Sequence, residues 1–479
     1  MDTARRNRWL ARNLHWILPA LAAFALLAKS LSSHGFLGDV GWDVSNGLWM
    51  LQHHYIPLKN YLATAMYGAH WGNDEWLWGL YMGVSFKWLG EIGPFIFGLP
   101  VMLATSVFIA LRLRRVHVYW NLILSLLAAL ALLPGMSPRP QIASYALFAL
   151  VLWAVNEDER QSWPLWLAAA MTLVWTNLHG SAILDPLVLG LYGLQQPKGK
   201  RRRYAGPFIL SALLLLAHPG GLGGTGGLFS TIFSPGNLNV IAEWQSPNFH
   251  QILMWFEALA LGVGFAVVVP NAWRRRRFAD VALVLGASVA MLYAVRFSPY
   301  LAILVATAVG EYIPARWLPS MDGEAGRRLL ARANLVGGVV AVALLVVAAR
   351  APIFPARYPL KVTAYLEAHH AQNVMNYYSI GSTLEPFGIK PFLDGRNDLW
   401  LQRAWWGDYL NVVSGQESIL TFLHRYDPTS RYVLWYADSP VARTLDSAKG
   451  WRRVVTDPNP LDPEAGALGA YVLWTRSGG

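Results

Sequence analysis

Residues 75–90, EWLWGLYMGVSFKWLG, decide the topology of this chain. The stretch is apolar enough to be taken for a membrane span. Yet Glu75, Gly79, Gly83 and Lys87 recur every fourth residue, with Trp, Leu, Met and Phe elsewhere. That pattern suits a helix lying in the membrane interface rather than one that crosses it. The positive charges agree. Clusters stand at Arg5–Arg12, Arg112–Arg115 (RLRR), Lys198–Arg203 (KGKRRR), Arg274–Arg277 (RRRR) and Arg327–Arg332. If 75–90 does not cross, each cluster lies at the cytoplasmic end of a span; if it crosses, RLRR falls outside and every later cluster inverts.

A spanning helix needs roughly 20 apolar residues. Working outward, the candidate runs are about 14–33, 93–111, 118–135, 141–155, 164–178, 182–195, 206–217, 252–270, 278–295, 297–313 and 333–350. The first follows Arg5, Arg6, Arg8 and Arg12 as a signal peptide would, but it is long and its end, LAKSLSSHG, carries no A-x-A site, so it reads as a retained helix. The reading is a polytopic α-helical membrane protein, with about eleven spans and a juxtamembrane helix. Its N-terminus is cytoplasmic and its C-terminal segment extracytoplasmic. Composition supports the class: 54% of the 479 residues are hydrophobic and 14% charged, against about 25% charged in soluble domains. The 23 Trp suit membrane–water interfaces. A net charge of +11 sits in short clusters between apolar runs, which points to topology rather than to nucleic acid. With no Cys, disulfides, thiolate metal sites and cysteine nucleophiles are excluded.

The texture changes near Phe354. Pro352, Pro355 and Pro359 mark a linker. PLKVTAYLEAHH and ESILTFLHRY read as helices; NVMNYY, KPFLDGR, RYVLWYA, WRRVVTD and AYVLWT read as strands. Helices alternating with strands predict a small α/β domain over 351–479, after a membrane domain over 1–350.

Unusual polar residues concentrate on the predicted outer side. The first outer loop, about 34–75, is long for a connection and rich in aromatics. It carries Asp39 and Asp43, then Asp74 and Glu75. On a helix, Asp39 and Asp43 would share a face. A carboxylate just above the membrane can act as general base toward an acceptor hydroxyl, or hold a divalent ion against a diphosphate; a solvated loop with helix caps is the plainer alternative. Arg139 (SPRPQ), Asn177 and His179 (WTNLHG), His218 (AHPGG), Glu243 and Trp244 (EWQSP) and Arg296 (VRFSP) can line the same surface. Arg139 and Arg296 suit a phosphate held by forked hydrogen bonds, or are snorkelling interfacial residues. The two histidines are equally compatible with a structural role. Asp185 and Glu257 lie inside apolar runs, as buried partners or cavity-facing groups. No P-loop, HExxH or EF-hand motif is present, and PGGLGGTGG at 219–227 is no dinucleotide fingerprint. No nucleotide cofactor is expected.

The stretch GDVGWDVSNGLWMLQHHYIPLKNYLATAMYGAHWGNDEWL at 38–77 resembles the first outer loop of a bacterial family that looks like the GT-C superfamily of membrane glycosyltransferases. Its members read roughly D-x-W-W-H-L-x-x-G-x-W-I-L, then I-P, then G-x-x-W-x-x-H-E-W-L. The resemblance continues at SPRPQ, WTNLHG, EWQSP, VRFSP and NYYSIGSTLEPFGIKPFLDGRNDLW, and so covers most of the chain. Asp39 matches the family's loop Asp and Glu75 its Glu. Asp43 and Asp74 stand where His is common, and His218 replaces the Asn of an N-P-x-G pattern. The resemblance implies a GT-C-like fold and a sugar donor on polyprenyl phosphate or diphosphate, with the acceptor unidentified. It implies Asp39 as base, with Asp43, Asp74 and Glu75 as second choices or as ligands of Mg, Mn or Ca. Arg139, His179, His218 and Arg296 would take the donor phosphate, and Asn177, Glu243 and Trp244 would support the acceptor or the site. Asp394 and Arg396 of LDGR read as a turn and an ion pair. Two other functions fit a polytopic protein: a transporter or flippase of lipid-linked saccharides, and a non-catalytic membrane assembly protein.

Overall fold

The computed structural model describes residues 16–28, 39–157, 161–221, 242–252, 254–313, 359–396, 399–400, 403–457 and 470–476. The expected span at 333–350, the clusters Arg5–Arg12 and Arg327–Arg332, and most of PGGLGGTGG lie outside them. The chain forms two compact units: Met1–Ser32, Phe95–Leu228 and Ile232–Pro352; and Ser33–Pro94, Phe229–Thr231 and Ile353–Gly479.

The first unit is helical. Each expected apolar run between 93 and 313 is a helix: Gly93–Arg112, Val118–Leu132, Gln141–Glu157, Trp163–Leu178, Leu184–Gln195, Lys198–Leu214, Met254–Val263, Phe278–Tyr293 and Ser298–Val309. Among the described residues, three stretches are long and apolar enough to cross a membrane: Trp76–Arg112, Val118–Gly135 and Met254–Arg274. Trp16–Ala28, Gln141–Glu157, Phe278–Tyr293 and Val295–Val309 are shorter apolar helices. The protein is an integral membrane protein.

Several hydroxyls inside these helices return to their own backbone, as Thr105 does to Val101, Ser106 to Met102 and Ser288 to Val284. An apolar surrounding offers no other acceptor. Asp185 is a buried partner: it accepts from Thr172 at 2.7 Å and Ser211 at 2.6 Å, joining three helices. Glu257 is buried beside Ser298. The basic clusters are partly paired. Arg112 bridges to Glu311 at 3.2 Å and donates to the Leu152 carbonyl, Arg277 pairs with Glu311 and Asp280, and Arg114 pairs with Glu157.

The second unit joins the segment Ser33–Pro94 to the C-terminal segment. The helix Asp39–His53 packs on the helix Trp76–Leu89. The stripe of 75–90 has a local cause here: Gly79 and Gly83 let the two backbones touch. A methyl on Gly83 would lie 2.6 Å from the Gly47 Cα, and one on Gly47 would lie 2.7 Å from the Gly83 Cα. The helix ends at Gly90, whose φ of 62° suits glycine. A mixed sheet follows, of β1 (Val374–Asn376), β2 (Tyr432–Tyr436), β3 (Trp451–Asp457) and β4 (Tyr471–Arg476), in the order β1-β2-β4-β3. β1 runs parallel to β2, and the other pairs are antiparallel.

KPFLDGR is not the strand its pattern predicts. Only Pro391 bridges to Val374. Two backbone bonds frame that bridge, from the Val374 N–H to the Lys390 carbonyl and from the Phe392 N–H to the Val374 carbonyl, and the remaining backbone groups go elsewhere. Thr64 and Ala65 donate to the carbonyls of Pro391 and Phe392. The Asn376 side chain accepts from the Phe392 and Leu393 N–H groups and donates to the Leu393 carbonyl. Helices Tyr378–Leu384, Ala404–Ser414 and Pro440–Ser447 are additions that the sequence reading did not contain.

Candidate functional site

Functional side chains gather in each unit. In the helical unit the turns between spans bring together Arg139, His179, Glu243, Trp244 and Arg296. Arg139 clasps Glu243 with both arms of its fork, at 3.0 and 3.1 Å. Arg296 approaches the same carboxylate at 3.6 Å and lies over the Trp244 ring, 4.3 Å from its centre. The Val295 N–H donates to the Gln245 carbonyl and fixes the two turns to each other. Burial alone would raise Glu243, but the two guanidiniums outweigh it and hold the carboxyl at about 2.

His179 caps the end of Trp163–Leu178 with extended backbone. Its Nδ1 accepts the Ser181 N–H at 3.2 Å and lies 2.7 Å from the Ser181 Oγ. Ser181 is bonded in turn to Ser144 and Tyr300. Burial, and then repulsion from Arg296 and Arg139, lower His179 to about 3. The ring is therefore neutral at ordinary pH and offers one N–H donor. Two guanidiniums on one carboxylate beside a neutral imidazole make an oxyanion-binding arrangement, with the fork geometry that carboxylates and phosphates share.

Asn177 and His218 each bond to the backbone. Asn177 donates to the Leu173 and Ala217 carbonyls, tying the end of its helix to the chain before His218. His218 is buried and accepts the Gly220 N–H at 3.0 Å.

In the second unit, Asp39 opens the helix Asp39–His53. Asp43 follows one turn later, fully buried, and the spacing places both on one face. Asn46, one turn further, donates to Asn73 at 2.8 Å, and Tyr61 donates to Asn46 at 3.1 Å. These bonds bind the Asp74–Glu75 turn to that helix. Asp74 folds back over Gly72, and Glu75 is the residue before the helix Trp76–Leu89. Among the described residues no group of three His, Asp or Glu side chains gathers to hold a metal ion.

Asp39 meets the C-terminal segment. A side chain on Gly395 would collide with the Asp39 Oδ1. Gly395 belongs to the LDGR turn, where Asp394 and Arg396 form a fully buried pair at 2.5 Å. Arg396 also donates to Asn60 at 2.8 Å and lies over the Trp71 ring at 4.5 Å. The expected turn and ion pair are therefore present. The sequence reading missed Gly395, Ser382 and Glu385. Their partners lie hundreds of residues away or come from a neighbouring helix, and no local pattern signals that. Glu385 is buried next to Asp394. Burial first, and then the Asp394 charge, push it well above the usual carboxylate range, against the pull of Arg396.

No family model matches the chain, and no curated protein matches it significantly. Solved structures do. The apo oligosaccharyltransferase of Archaeoglobus fulgidus matches with a TM-score of 0.59 at 12% identity, over 90% of this chain and 70% of that one. The same organism's oligosaccharyltransferase AglB, in complex with an inhibitory peptide and a dolichol-phosphate, matches with a TM-score of 0.56 at 12% identity over the same shares. A complex of the A. fulgidus enzyme with Zn and sulfate matches with a TM-score of 0.51 at 11% identity, over 88% of this chain and 68% of that one. The chain thus has the fold of the archaeal oligosaccharyltransferase.

Proposed function

We propose that the protein is a glycosyltransferase that moves a sugar from a polyprenyl-phosphate or polyprenyl-diphosphate donor to an acceptor on the outer face of the bacterial cytoplasmic membrane. The observation that carries the reading is the convergence of Arg139 and Arg296 on one carboxylate beside a neutral His179. Four turns far apart in sequence supply these groups. The similar oligosaccharyltransferase was solved with a dolichol-phosphate and a peptide, which suits a lipid-borne phosphate on one side of the reaction and an acceptor on the other.

Asp39 is the base in this reading. It takes the acceptor's proton as the acceptor oxygen attacks the anomeric carbon. The bond from that carbon to the phosphate oxygen breaks, and the lipid phosphate leaves with the configuration inverted. Arg139, Arg296 and the His179 N–H stabilise the charge that grows on the leaving phosphate. Glu243 and Trp244 hold the two guanidiniums in place. A divalent ion bound through Asp43, Asp74 or Glu75 would add charge stabilisation, but the described residues form no three-ligand cage and no step needs it.

The test is transfer by the purified protein from a panel of synthetic polyprenyl-phosphate and polyprenyl-diphosphate sugars, with and without Mg, Mn, Ca or Zn, beside Asp39→Asn. Asn is nearly isosteric and cannot act as base. The expected result is a folded, membrane-inserted variant without turnover. Transfer at the wild-type rate in Asp39→Asn would remove the base assignment. Donor binding without transfer by any wild-type sample would favour the transporter reading.

A further inference from the structure

We propose that the Asp394–Arg396 turn of the C-terminal segment is a positioning element for the Asp39 carboxylate, and that Gly395 is its contact residue. The inference rests on the reading of Asp39 as base. The Asp39 Oδ1 lies where a Gly395 side chain would begin. Beside it, the Gly395 N–H donates to the Ser382 Oγ at 2.9 Å, and that oxygen would be 3.3 Å from a Gly395 methyl. The helix bearing Asp39 packs directly on the Ser382 turn and cannot move closer to it: a methyl on Gly41 would overlap the Ser382 carbonyl. The carboxylate is confined by its own helix, the Ser382 turn and the Gly395 backbone.

The turn is itself fixed from several sides. Asp394 accepts both the backbone N–H of Arg396, at 2.8 Å, and its guanidinium. The guanidinium continues to Asn60, whose amide donates to the carbonyls of Ala63 and Ala65. Thr64 and Ala65 bind the carbonyls of Pro391 and Phe392, and Asn376 holds Leu393. An added methyl at Gly395 therefore meets a turn that cannot yield. The softer response is rotation of Asp39 out of its rotamer. A shift of about 1 Å in a reacting group costs on the order of 100-fold in rate.

The experiment measures transfer kinetics and thermal unfolding of the full-length protein for Gly395→Ala, Asp39→Asn, the double variant and Gly407→Ala. A methyl on Gly407 meets nothing, so that variant controls for adding one. The expected result is a kcat about 100-fold lower in Gly395→Ala, with the donor KM unchanged. The double variant should be no worse than Asp39→Asn, and Gly407→Ala should behave as wild type. Ser382→Ala removes the hydroxyl under the Gly395 N–H without adding an atom. It should lower kcat alone, and it carries the test if Gly395→Ala fails to fold. Wild-type kcat in either Gly395→Ala or Ser382→Ala, or a loss confined to KM, overturns the proposal while leaving Asp39 as base. Turnover that survives Asp39→Asn overturns the base assignment itself.

Discussion

Replacing Arg396 by Met should destabilise the protein far more at pH 8 than at pH 5, and more than replacing Asp394 by Asn. Arg396 is the cation beside two buried carboxyls, Asp394 and Glu385. Removing one partner of a buried pair costs about 3–5 kcal/mol. For a unit of this size each kcal/mol shifts Tm by about 2–4 °C, so Arg396→Met should unfold roughly 6–20 °C lower near neutral pH. The sign of the pH effect follows from the carboxyls. An acid whose folded pKa lies above its unfolded value favours the fold below the unfolded value, and this contribution is lost as pH rises toward the folded one. Glu385 is already raised above 4.5 in the wild type. Without the guanidinium Glu385 resists ionisation still more, so the penalty grows as pH rises above the ordinary carboxylate range. Asp394→Asn acts differently, because Glu385 can ionise and serve as the counter-ion of Arg396; its cost should stay near 1–3 kcal/mol. Thermal unfolding in detergent at pH 5, 6.5 and 8 measures all three proteins. Equal losses in the two variants, or a pH-independent loss in Arg396→Met, would refute the reasoning.

Gly83→Ala places a methyl against the backbone of Gly47 and Leu48; it should cost about 1–3 kcal/mol, read as a lower Tm, whereas Gly407→Ala should not. Arg139→Lys keeps the charge but loses the fork, so donor KM should rise about 10-fold with a smaller change in kcat; an unchanged KM would remove Arg139 from the phosphate site. A tag at the C-terminus should be accessible to an impermeant reagent in intact cells, and access only after permeabilisation would place residues 75–90 across the membrane.

The sequence alone determined the membrane class, because apolar run length and the placement of Arg and Lys are local quantities that a bilayer reads directly. It placed the helices between 93 and 313 and four of the C-terminal strands, since each follows from its own periodicity. It also singled out Arg139, His179, Glu243 and Arg296, as polar residues stranded at the ends of apolar runs. Only the tertiary structure put Arg139, His179 and Arg296 around the Glu243 carboxylate. Only it showed that Asn177 and His218 serve the backbone, and that Asp185 answers Thr172 and Ser211. KPFLDGR was misread as a strand because its backbone partners, Thr64, Ala65 and Asn376, come from other segments. The stripe at Gly79 and Gly83 was visible as spacing, but its meaning depended on the glycine of another helix. The contact of Gly395 with Asp39 joins residues more than three hundred positions apart. The chemistry of one side chain is written in its type, whereas its neighbours are set by packing between distant segments, which local pattern does not encode.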